Sequence, residues 1–117
     1  MATIIIQLDP SQLANTDTDI RYVLPDLLAA KFPHLVSDDG YDYAGSSQNP
    51  CLLVFLATES LEQASAAVIG FLQHERVLEN DLASVPVAIE DEDAFKVIHP
   101  PDFSGSFFYP SPEAPDL

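Results

Sequence analysis

Cys51-Leu-Leu-Val-Phe-Leu-Ala57 is seven apolar residues without a break, and its reading decides the fold. A run of that length bounded by turn residues suits a strand buried on both faces. The chain enters it from Gly45-Ser-Ser-Gln-Asn-Pro50, a polar turn cluster. It leaves into a helix that must cover one of those faces. Ser60-Leu-Glu-Gln63 has the form of a capping box, with Glu59 and Glu62 favourably placed on the helix dipole. Leu61, Ala64, Ala67, Val68, Phe71 and Leu72 then make an apolar stripe at helical spacing. Gly70 lowers helix propensity by about 1 kcal/mol relative to Ala, which points to a neighbour approaching there. Arg76 falls in the expected last turn, and Asn80 at a C-terminal position of positive φ. Val85 to Ile89 and Ala94 to Ile98 flank Glu90-Asp-Glu-Asp93, which predicts a β-hairpin with an acidic tip.

Working back from that core, Thr3-Ile-Ile-Ile-Gln-Leu8 is β-branched, ends at Asp9-Pro10 and predicts a first strand. Ile20, Val23, Leu24, Leu27 and Leu28 have helical spacing, with Thr16 or Asp17 as the cap, Lys31 near the end and Pro33 as the stop. Pro25 removes a backbone donor inside that helix and predicts a kink or a break into two segments. Leu35-Val36 and Tyr41-x-Tyr43 read as two strand pieces around an Asp39-Gly40 turn, or as one strand bulged at Gly40. The order strand, helix, strand, strand, helix, strand, with one strand added, predicts an α+β two-layer sandwich. It is ferredoxin-like, βαββαβ with an added C-terminal strand, its helices on one face of a mainly antiparallel sheet. Residues 1–99 form the single domain. Residues 100–117 are a Pro-rich tail with Phe103, Phe107, Phe108 and Tyr109, its rings either packed on the domain or bound to a partner.

The charge narrows the function. Nineteen acids face four Lys and Arg, a net charge of -15, and the cations Arg21, Lys31, Arg76 and Lys96 are scattered. Without a basic patch, neither nucleic acid nor an anionic membrane is an expected partner. A basic protein is the partner that such a field would steer, although the same field also serves solubility. The single cysteine, Cys51, reads as a buried small hydrophobe. The apolar start Ile4-Ile5-Ile6 lacks the basic segment of a signal peptide, and no run is long enough to span a bilayer, so a cytoplasmic protein is expected.

No phosphate loop, HExxH, GxSxG or paired CxxC is present, so no catalytic residue, cofactor or metal is assigned and an enzyme is not expected. Asp38, Asp39 and Asp42 with His34 match no established metal loop, and His34, His74 and His99 read as surface histidines. Glu90, Asp91, Glu92 and Asp93 lack the burial that would separate their pKa values for acid–base work. An interaction surface remains. Asp38, Asp39, Tyr41, Asp42 and Tyr43 interleave acids with aromatic anchors, and Glu90 to Asp93 add a second acidic zone.

Asp19-Ile-Arg-Tyr-Val-Leu-Pro-Asp-Leu-Leu28, Ser37-Asp-Asp-Gly-Tyr-Asp-Tyr43, Leu52 to Leu56 and Leu72 to Leu82 together resemble the small acidic immunity proteins encoded beside bacterial polymorphic toxins. The resemblance lies in overall character over about residues 3–99, and no residue's role is carried over with it. It implies a non-enzymatic cytoplasmic protein that binds and neutralises a basic cognate toxin. Two alternatives stand beside it: a nucleic-acid-mimicking inhibitor of a basic protein, and a small-molecule-binding ferredoxin-like sensor. A homodimer through the sheet edge or the tail is compatible with any of them.

Overall fold

The computed structural model describes residues 2–9, 19–45, 50–78, 80–91 and 94–100. Residues 101–117 of the expected tail, Glu92 and Asp93 of the acidic tip, and the caps Thr16 and Asp17 lie outside them. The chain runs β1 (Ala2–Leu8), α1 (Ile20–Lys31), β2 (Ser37–Gly45), β3 (Pro50–Thr58) and α2 (Leu61–His74). Two short strands follow, β4 (Arg76–Val77) and β5 (Asn80–Asp81), then β6 (Val87–Asp91) and β7 (Ala94–His99). Five strands form one sheet in the order β2-β3-β1-β6-β7, every neighbouring pair antiparallel. Over the described residues the protein is thus α+β, with two helices and an antiparallel five-stranded sheet.

Alternation along the strands separates the two faces of the sheet. Ile4, Ile6 and Leu8 align with Leu56, Val54 and Leu52, and Ile6 also with Val87. These side chains form one core with Ile20, Leu24 and Leu28 of α1 and Ala64, Val68, Phe71 and Leu72 of α2. Burying each large one stabilises the fold by about 1.5–3 kcal/mol before the entropy of ordering is counted. Ile5 aligns with Phe55 and Ala88, and Gln7 with Leu53. Ile5, Cys51, Leu53 and Ala88 are buried as well, yet stand outside the helix-side cluster. The seven-residue run is therefore buried along both of its faces, apart from half-buried Phe55 and Ala57. Burial raises the Cys51 pKa, with Asp9 adding to it, which keeps the thiol protonated.

Several local expectations are corrected. Pro25 sits inside α1 without ending it, so the helix loses one backbone bond and continues to Lys31. The Ser60 side chain makes no capping bond; instead its N–H donates to Thr58 Oγ1 at 2.9 Å. A Cβ on Gly70 would meet nothing within 4 Å, so no neighbour's approach explains that glycine. Helix α2 stops at His74, leaving Arg76 in β4 and Asn80 in β5, and positive φ falls on Leu78 (φ 50) in the turn between them. His99 is buried, and its Nε2–H donates to the Ala83 carbonyl at 2.7 Å, pinning the end of β7 to the segment before β6. His34 and His74 are exposed.

Residues 37–45 resolve into one strand that begins after Val36. Asp38 pairs with Leu56 and Tyr41 with Val54, which leaves Asp39 and Gly40 opposite Phe55. Gly40 takes φ 95 in this bulge, a conformation that glycine reaches at no steric cost.

Candidate functional site

The bulge decides which side chains of β2 meet α1. Tyr41 and Tyr43 pair with Val54 and Leu52, so both stand on the helix side of the sheet, while Asp42 pairs with Leu53 and points to the other face. On α1, the inward turn of Ile20 and Leu24 leaves Tyr22 outside. Tyr22 and Tyr41 meet edge to face with ring centres 5.7 Å apart, and Tyr41 and Tyr43 repeat the contact at 6.0 Å. The Arg21 guanidinium lies 4.5 Å from the Tyr22 ring centre and 5.6 Å from that of Tyr41. The residues Tyr22, Tyr41 and Tyr43 are 48, 39 and 46 % exposed, so the surface carries a continuous aromatic patch rather than a buried tyrosine core.

The phenols are electrostatically linked. Hydrogen bonding to Tyr41, then to Arg21, holds the Tyr22 pKa below the usual phenol range. The same bond with Tyr22 raises Tyr41, and hydrogen bonding to Tyr22 raises Arg21. Asp19, at the start of α1, opposes the lowering at Tyr22 by repulsion.

The neighbouring acids have a second task. Asp38 Oδ1 accepts from the Gly40 N–H at 2.9 Å, and Asp42 Oδ1 accepts from the Tyr43 N–H at 2.8 Å. Both bonds satisfy backbone donors of a strand at the end of the sheet, where an unpaired N–H would template another chain. They also fix one carboxylate, Asp38, on the face of the rings and a second, Asp42, on the opposite face of the same strand, each with a further oxygen able to accept.

The sequence expectation joined Asp38 to Tyr43 with Glu90 to Asp93 in one surface; of the second group, Glu90 and Asp91 lie within the described residues. Strands β3 and β1 separate β2 from β6, so at about 4.8 Å per strand the two segments lie on the order of 14 Å apart. Glu90 pairs with Thr3 and Phe95, which puts it on the face opposite Tyr41 and Tyr43, and Asp91 ends β6 at the hairpin. Asp38, Asp39, Tyr41, Asp42 and Tyr43 remain one exposed segment. Arg21 and Tyr22 are the members that the sequence reading missed. The available signal was their place on α1 between the inward residues Ile20 and Leu24.

Two surface depressions offer less. An open groove of about 300 Å³ runs between the end of α1 and α2, lined by Phe32, Ala67, Gly70 and Phe71 with Lys31 and Glu75 at its rim. The rim pair is 4.0 Å apart and half exposed, a geometry of little energetic weight. A second hollow of about 190 Å³ lies beside His34 and Glu59. Among the described residues, no three His, Cys, Asp or Glu side chains gather as metal ligands would, and no helix is long and apolar enough to cross a membrane. No family model, curated protein or solved structure matches the chain.

Proposed function

We propose that the protein is an immunity-type inhibitor that binds and neutralises a basic toxin domain in the cytoplasm, acting by complementarity and not by catalysis. One observation carries the reading: an exposed patch of Tyr22, Tyr41 and Tyr43 adjoins Asp38 and Asp39, with Asp42 on the reverse of the same edge strand, on a chain of net charge -15. Tyrosines are over-represented among residues that dominate binding energy, and a surrounding acidic field accelerates encounter with a cationic partner. Glu90 and Asp91 belong to the long-range field in this reading, with the contact itself centred on β2 and α1. The scaffold is taken as ferredoxin-like with one appended strand, supported by the order β2-β3-β1-β6 with β7 beside β6. Asp38 stands on the helix side of the sheet while Asp42 and Glu90 share the other face, so these acids form no single row of carboxylates such as a nucleic-acid mimic presents, which favours a shape-specific protein partner.

The test is association kinetics with the basic partner purified from the producing cell. Replacing Asp38, Asp39 and Asp42 together by Lys should slow association by about tenfold or more at low salt and flatten its salt dependence. An unchanged rate at low salt would remove the acidic surface from recognition.

A further inference from the structure

Resting on the reading above, we infer that the Tyr22–Tyr41–Tyr43 patch is the docking surface for an arginine-bearing segment of the basic partner, which it takes by stacking and carboxylate contact. The molecule already displays the chemistry. Arg21 lays its guanidinium against the rings of Tyr22 and Tyr41, at 4.5 and 5.6 Å from their centres. Planar, weakly hydrated guanidinium stacks on aromatic faces better than the compact ammonium of lysine. Tyr43 extends the patch beyond Arg21, its ring nearly perpendicular to Tyr41 (82°) and 46 % exposed.

The surrounding acids supply the second half of an arginine site. Asp38, on the face of Tyr41 and Tyr43, is held by its bond to the Gly40 N–H, and exposed Asp39 follows it in the bulge. A cation arriving there meets a carboxylate, Asp38, that need not be ordered first, which lowers the entropic cost of binding. The Asp38 and Asp42 bonds occupy the Gly40 and Tyr43 N–H groups of β2, which leaves strand addition fewer backbone donors there and favours recognition through side chains. A second copy of this chain is a poor occupant, because both partners would carry -15. The charge complement is a cationic protein.

Hexa-arginine and hexa-lysine peptides serve as probes, titrated at low salt with the ring-proton resonances of the intact chain as the readout. The inference expects hexa-arginine to bind more tightly and to shift the rings of Tyr22, Tyr41 and Tyr43 first. Tyr41→Ala with Tyr43→Ala, which alters no charge, should weaken hexa-arginine about fivefold and hexa-lysine less. Tyr41→Phe with Tyr43→Phe keeps the rings and should bind as the parent does, which covers the case of an alanine variant that does not fold. Asp38→Asn with Asp39→Asn should cost more affinity than Glu90→Gln with Asp91→Asn, although each pair removes two charges. Equal losses from the two acid pairs, with unmoved tyrosine rings, would overturn the docking surface and leave the acidic-binder reading standing. Failure of both peptides to bind at low salt would overturn both.

Discussion

Tyr22 of helix α1 and Tyr41 of strand β2 meet edge to face, with ring centres 5.7 Å apart and planes inclined by 85°. The contact ties the first helix to the edge strand β2 at the surface. A double-mutant cycle with Tyr22→Leu and Tyr41→Leu should give a coupling of about 0.5–1.5 kcal/mol in chemical denaturation, the usual worth of such a pair. A coupling near zero would mean that the rings merely neighbour one another.

The alkaline titration of the same pair has a defined sign. Tyr22 has a folded pKa below its unfolded value of about 10, so its contribution to stability grows as pH rises from the folded value towards 10. Tyr41 is raised, so its contribution is lost as pH climbs from about 10 through its folded value. Tyrosine Cζ shifts followed by NMR should therefore show Tyr22 ionising before Tyr41. Tyr41→Phe removes the principal cause of the lowering and should move Tyr22 upward, with Arg21 still holding part of the effect. Simultaneous ionisation of the two phenols would contradict the linkage.

Helix α1 separates packing from surface chemistry within one turn. Leu24 is 0 % exposed in the core, whereas Leu27 is 41 % exposed. Leu24→Ala should cost about 2–5 kcal/mol of unfolding free energy through lost contacts and a cavity, and Leu27→Ala within about 0.5 kcal/mol. Similar costs at both positions would mean that α1 is rotated relative to the sheet.

This contrast marks how far the amino-acid order could be read. Apolar periodicity is a local signal, so Ile4 to Leu8, the run from Cys51 and the stripe on α2 were legible as strands and helix. Helical spacing alone grouped Leu27 with Leu24, because burial depends on where the sheet lies and not on the count of residues. The site was half legible. The mixture of acids and tyrosines from Asp38 to Tyr43 stood out by residue type, but pairing across the sheet separates it from Glu90. Arg21 and Tyr22 joined it through the packing of α1 on β2. Likewise, His99 looked like a surface residue until its bond to the Ala83 carbonyl placed it inside.

The two roles of Asp42 can be separated by choice of substituent. Asp42→Asn keeps an oxygen that can accept from the Tyr43 N–H and removes the charge, while Asp42→Ala removes both. The alanine variant should self-associate more with concentration in sedimentation velocity, as an unblocked sheet edge does, and the asparagine variant should stay with the parent. Association of both variants alike would assign the protection to charge and not to the backbone bond.

The central claim is that the aromatic patch, steered by the acidic field, binds a basic protein. Its most direct test is the dissociation constant of the purified basic partner for the parent and for Tyr41→Ala with Tyr43→Ala, at two salt concentrations and with folding checked by circular dichroism. The account predicts at least about tenfold weaker binding by the folded double variant at both salts, because hot-spot tyrosines are each worth more than 1 kcal/mol. It also predicts a similar salt dependence for the two proteins, since no charge has changed. A folded double variant that binds the partner as tightly as the parent would contradict it.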